Sequence, residues 1–122
     1  MNLDQITEWA QIAWPASARA IAHDGDQGID SIALLRFEMD PAELDSFVGS
    51  LGFDRPLRPG AWPFPPLPDA PGWWVARPAE PAPDGSTLGG AVLDLARGLN
   101  RELFVDQRGP GVATVYLRTF EV

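Results

Sequence analysis

Three carboxylates within seven residues, in Asp24-Gly25-Asp26-Gln27-Gly28-Ile29-Asp30, form the spacing in this chain closest to a calcium loop. A hard cation collects several carboxylate oxygens from one tight turn. The helix–loop–helix calcium pattern is not met, however. Counted from Asp24, the fifth position is Gly28 rather than Asp or Asn, the sixth is Ile29 rather than glycine, and the twelfth is Leu35 rather than glutamate. The segment therefore reads as a solvated acidic turn, and no metal ligand set is expected. His23, the single histidine, lies beside Asp24. It is the one side chain whose ordinary titration falls near neutrality, but a general base needs a nucleophile within reach and the sequence identifies none. The five serines stand in no nucleophile-elbow pattern, and the chain has no cysteine for a thiolate or a Cys-ligated zinc. Gly85-Ser86-Thr87-Leu88-Gly89-Gly90 could turn backbone N–H groups toward an anion, but no lysine exists to reach a phosphate, so it reads as a flexible joint. The expectation is a chain with no catalytic residues and no cofactor.

The aromatic residues carry the stronger signal. Between Asp54 and Pro83 the chain concentrates ten of its thirteen prolines and three of its five tryptophans. Proline fixes φ and removes a backbone donor, so this span is neither a helix nor a central strand. Trp62, Phe64, Trp73 and Trp74 are too apolar to stand in water without a purpose. They fold back as a lid on the core or form a stiff surface for a partner, where tryptophan makes binding hot spots and proline lowers the cost of ordering. In an extended segment the adjacent Trp73 and Trp74 point to opposite sides, one inward and one outward.

The composition narrows the partner. Seventeen acidic residues against nine basic ones give a formal charge of −8 in 122 residues. Such a field repels nucleic-acid phosphates and anionic lipid and speeds encounter with a basic protein. The expected partner-binding residues are Trp62, Phe64, Trp73 and Trp74 with Asp24, Asp26 and Asp30. Met1-Asn2-Leu3-Asp4-Gln5 lacks a basic region leading into an apolar stretch, and no run approaches the roughly 20 apolar residues of a membrane span, so a cytoplasmic location is expected.

Hydrophobic periodicity gives the elements that position these groups. Asn2 and Gln5 have capping-box spacing for a helix over Leu3 to Ala13, with Leu3, Ile6, Ala10 and Ala13 on one stripe. Ser17 to Ala22 fits a helix or a strand and, being short and running into a turn, is read as a strand, with His23 to Gly28 as the turn. Asp30 to Met39 is a strand with Ala33, Leu35, Phe37 and Met39 on one face and Ile32, Leu34, Arg36 and Glu38 on the other. Asp40, Pro41 and Glu43 start a second helix whose Leu44, Phe47, Val48 and Leu51 face inward, and Gly52 ends it. Ala91 to Leu99 fits a helix or an irregular strand. Arg101 to Gln107 and Val112 to Val122 form an antiparallel hairpin across Arg108-Gly109-Pro110-Gly111. Elements that do not alternate regularly imply an α+β fold: one domain over 1–122, a small antiparallel sheet with helices on one face, and a Pro/Gly-rich loop over 54–90 inserted before the closing hairpin.

Pro15-x-Ser17-Ala18, the strand ending Leu35-Arg36-Phe37, the helix ending Phe47-Val48-x-x-Leu51-Gly52, Trp73-Trp74 and the closing Val115-Tyr116-Leu117 together resemble a group of small bacterial α+β proteins. Those proteins begin with a Pro-x-Ser-Ala segment and close with an aromatic-rich hairpin. In type the chain is also similar to the immunity proteins that neutralise bacterial toxins. That likeness implies a non-enzymatic protein-binding module whose basic partner is a toxin domain. The alternatives are a small enzyme or ligand-binding domain with a pocket under a Pro/Trp-rich lid, and an accessory domain of a larger assembly.

Overall fold

In the computed structural model, which describes residues 1–27, 30–74, 82 and 84–121, two short helices cover one face of a six-stranded antiparallel sheet. The elements are α1 (Leu3–Trp9), β1 (Arg19–Asp26), β2 (Ile32–Met39), a 3-10 turn (Pro41–Glu43), α2 (Leu44–Ser50), β3 (Arg58–Pro59), β4 (Thr87–Asp94), β5 (Leu99–Asp106) and β6 (Ala113–Glu121). The sheet order is β1-β2-β6-β5-β4-β3, so the last strand closes the gap between the first hairpin and the later meander. The chain is α+β with an antiparallel sheet.

The alternation in β2 sets the face. Ala33, Leu35, Phe37 and Met39 point to the helices, and the pairs Leu35↔Leu117, Phe37↔Val115, Leu103↔Leu117 and Val105↔Val115 carry that face across β6 and β5. Ile6 and Ala10 from the α1 end and Leu44, Phe47 and Leu51 from the α2 end close the same core. The T-shaped contacts of Phe37 with Trp14, at 5.0 Å, and with Phe47, at 5.3 Å, sit at its centre.

Helix α1 starts where expected, with Asn2 and Gln5 exchanging both capping-box bonds at 2.8 Å. It ends sooner than its apolar stripe suggests. Gln11 adopts φ 54° and donates to the Glu8 carbonyl, and Ile12 donates to that of Thr7. This is a Schellman cap with glutamine in the position that favours glycine, which is why the sequence does not show it. Asp40 caps the 3-10 turn by accepting from Ala42 N–H, so α2 proper begins only at Leu44, without a side-chain cap, and Gly52 takes the left-handed φ of 89° that terminates it. Glu43 has a different task, accepting from the Ala16 and Ser17 N–H groups, both at 3.1 Å, and so tying the Pro15 segment to the second helix.

Three expectations are corrected. His23, Asp24, Gly25 and Asp26 are not a turn but the second half of β1, paired with Leu35, Leu34, Ala33 and Ile32. The register shifts between Arg19 and Ala22, where Ala20 has φ 55°, so a bulge absorbs the extra residue and no sequence periodicity survives it. Gly28 and Ile29 of the acidic segment lie outside the described residues. Gly85 to Gly90 is not a joint, because Thr87 onward is strand β4, and Ala91 to Leu99 is the end of β4, a turn and the start of β5. The 54–90 span thus supplies β3 and the first half of β4 to the sheet. Gly89 is a strand glycine because a Cβ there would collide with the Ala61 carbonyl.

Candidate functional site

The face opposite the helices carries the predicted aromatic residues. Phe104 of β5 and Tyr116 of β6 are a cross-strand pair with rings 6.2 Å apart. Over them lies the segment after β3. Gly60 N–H donates to the Thr87 carbonyl at 3.0 Å, and Ala61 N–H to that of Arg58, which turns the chain across Gly89. Thr87, fully buried, both accepts from Ala82 N–H and donates to its carbonyl, so one threonine holds the segment's return as well.

A chain of edge-to-face and tilted ring contacts follows. Trp62 meets Phe104 at 4.9 Å and Phe64 at 5.5 Å; Phe64 meets Trp74 at 4.9 Å; Trp74 meets Tyr116 at 5.9 Å. Such pairs contribute about 0.5–1.5 kcal/mol each beyond area burial. Phe64 is buried, while Trp62, Trp73 and Trp74 are half-buried. Trp73 and Trp74 do not diverge. The Trp74 N–H donates to the Pro71 carbonyl in a turn, and the two rings touch at 6.1 Å. Pro78, Pro81 and Pro83 of the proline-rich span lie outside the described residues.

Asp24 and Asp26 lie on this same face, since their partners Leu34 and Ile32 do, but at the β1 edge and exposed. Asp30 is exposed in the connection to β2. The acidic group and the tryptophans are therefore separated by the width of β2 and β6. Between them run polar residues that the sequence reading did not single out. Arg118 pairs with Glu102 at 2.6 Å and stacks 4.2 Å over Phe120, and Arg36 donates to the Tyr116 hydroxyl at 3.3 Å. Their signal was present, because alternation in β2 and β6 puts Arg36, Tyr116 and Arg118 outward; it lacked the sheet order that makes them neighbours.

One buried cation stands out on the helix-covered face. Arg101 sits there between Val92 and Thr119, with no exposure, and none of its three guanidinium nitrogens has a partner among the described residues. Burial, reinforced by Arg97 and opposed by Asp94, lowers its pKa to about 10, so it stays charged at neutral pH. At the far end of β5, Asp106 is held below the ordinary carboxylate range by hydrogen bonds from Arg108.

Two open grooves lie near β4. One runs between α2 and the Phe53–Leu57 segment, and the other follows the β4 edge between Arg55 and Trp62. No group of three His, Asp or Glu side chains among the described residues could hold a metal, and no described helix is long and apolar enough to cross a membrane. No protein-family model, curated protein or solved structure matches the chain.

Proposed function

We propose that this chain is a non-enzymatic, acidic protein-binding module that engages a basic protein, in its most specific form an immunity protein that neutralises a bacterial toxin in the cytoplasm. The observation that carries the reading is the solvent-facing acidic edge, where Asp24 and Asp26 project from the same side of β1 and Asp30 follows in the next connection, in a chain of net charge −8. Electrostatic steering toward such an edge speeds association, and a desolvated aromatic slows release. Trp73 supplies the aromatic, because it is half-exposed and, of the ring contacts described above, has only the one with Trp74. Trp62, Phe64 and Trp74 act as the lid that holds Trp73 in place. The alternative, a pocket under that lid, has less support, since ring-to-ring contacts fill the space between lid and sheet.

The test begins with the product of the adjacent gene, expressed with and without this chain, and with a pull-down from the source cells. Growth rescue with direct binding supports the reading. Replacing Asp24, Asp26 and Asp30 by asparagine should slow association and flatten its salt dependence, whereas Trp73→Ala should speed dissociation, at about 2 kcal/mol if Trp73 is a hot spot. Binding that ignores all four substitutions in a folded protein overturns the proposed surface.

A further inference from the structure

Two directly opposed polar side chains are buried together on the helix-covered face. Arg101 of β5 and Thr119 of β6 face each other across the ladder, and both leave the sheet toward the helices, as Leu103 and Leu117 do two residues along. Arg101 has no exposure and Thr119 has 1%. Neither the three guanidinium nitrogens nor the threonine hydroxyl has a hydrogen-bond partner among the described residues. A charge out of contact with water is sustained only by a counter-charge and hydrogen bonds.

The neighbouring charges do not supply them. Asp94, at the end of β4, is the carboxylate whose field reaches Arg101, but both its oxygens are engaged by Arg97. One accepts from the Arg97 N–H at 3.2 Å, and the other lies 3.4 Å from the Arg97 guanidinium, which also donates to the Ser50 carbonyl at 3.0 Å. Arg97 and Asp94 cancel, so Arg101 leaves a surplus of one positive charge. Glu121, on the same side of β6, is exposed. The rest of the row across the sheet is small or apolar, with Val92 on one side of Arg101 and Thr119, Ala33 and Gly25 on the other. A guanidinium has five N–H donors and no acceptor, and the threonine hydroxyl can turn its proton to match. The group that suits this pair is an acceptor bearing negative charge. Enclosure favours a small, weakly hydrated monovalent ion over phosphate or sulfate, because hydration must be shed on entry.

We infer that Arg101 and Thr119 form a buried site for a small monovalent anion of the chloride class, held by guanidinium N–H groups and the threonine O–H. The net charge of −8 opposes an anion at long range, so the local surplus and the enclosure provide the selection. An anion held only by the folded chain stabilises it.

Melting temperatures of the parent and of Arg101→Met, in sodium chloride and in sodium gluconate at one ionic strength, test the site. The parent should gain about 4 °C or more in chloride. Arg101→Met should gain nothing, and general salt effects cancel between the two proteins. Thr119→Val keeps the shape without the hydroxyl and should need roughly tenfold more chloride for the same gain. Asp94→Asn removes a repelling charge and should need less. In crystals soaked in bromide, an anomalous peak should lie within hydrogen-bond reach of both Arg101 and Thr119. If Arg101→Met fails to fold, Thr119→Val and the bromide peak still decide. A parent indifferent to chloride overturns the inference, and a chloride response that appears only in Asp94→Asn would make Asp94 the counter-ion instead. A response retained by Arg101→Met also overturns it, as does a bromide map without a peak at this pair. None of these substitutions touches Asp24, Asp26, Asp30 or Trp73, so the result stands apart from partner binding.

Discussion

The two faces of this sheet obey one alternating pattern but are covered by different means. On the helix side, aliphatic residues of β2, β5 and β6 meet two amphipathic helices, and the cover is made from regular elements with their own hydrogen bonds. On the other side the described part of the proline-rich segment has no ladder beyond Arg58–Pro59 and is held by aromatic rings and by Thr87. Proline suits that role because it has no N–H left unsatisfied when it lies flat on a sheet. The helix-covered face should therefore govern global stability, and the strap-covered face should tolerate loss of its outermost ring.

Phe47→Ala attacks the first face at its centre, removing a buried ring in contact with Phe37. It should cost about 3–5 kcal/mol. A loss below about 1 kcal/mol in denaturant melts would show that α2 does not close the core. Arg101→Met tests the flaw in the same face. It exchanges a buried guanidinium that has no partner among the described residues for an apolar chain of similar length and should raise stability by about 1–3 kcal/mol. A lower denaturation midpoint would mean that the cation is compensated and belongs to the core's design.

Trp73→Ala tests the second face. With one ring contact to lose among the described residues, it should cost about 0.5–1.5 kcal/mol and leave the fold intact. A loss as large as that of Phe47 would make the strap part of the main core. The smallest effect is expected at the exposed end of β5. The folded-state pKa of Asp106 is depressed, so its pairing with Arg108 adds stability at neutral pH that is lost as pH falls through the folded value. Arg108→Ala should cost less than about 1 kcal/mol at neutral pH, and its difference from the parent should vanish in acid. A difference that persists at low pH would assign the effect to packing.

Much of the helix-covered face was legible because its residues report locally. Ala33, Leu35, Phe37 and Met39 alternate, Asn2 and Asp40 cap, Gly52 stops a helix, and Leu103, Val105, Val115 and Leu117 match across one hairpin. Each of these signals spans a few residues, and the elements stand close to where the signals put them, with α1 stopping at Trp9 and α2 starting at Leu44 after a 3-10 turn. The segments that the sequence misplaced are those whose geometry is imposed from a distance. Asp24 and Asp26 look like a turn until a bulge at Ala20 and pairing with β2 make them a strand. Gly89 looks like a hinge until the Ala61 carbonyl requires a residue without a side chain beneath it.

The sequence by itself determined the acidic charge, the two amphipathic helices, the inward face of the sheet and the concentration of aromatics in the proline-rich span, since composition and periodicity survive without knowledge of neighbours. Only the tertiary structure decided that Trp62, Phe64 and Trp74 lie on Phe104 and Tyr116, that Arg101 is fully buried on the helix-covered face, and that the sheet ends in the charged strand β1 on one side and in the two-residue β3 on the other. Those facts depend on the strand order β1-β2-β6-β5-β4-β3. It brings together residues eighty and more positions apart, as in the Arg36–Tyr116 hydrogen bond and the Ile32↔Phe120 pair, and no local pattern in the chain encodes that order.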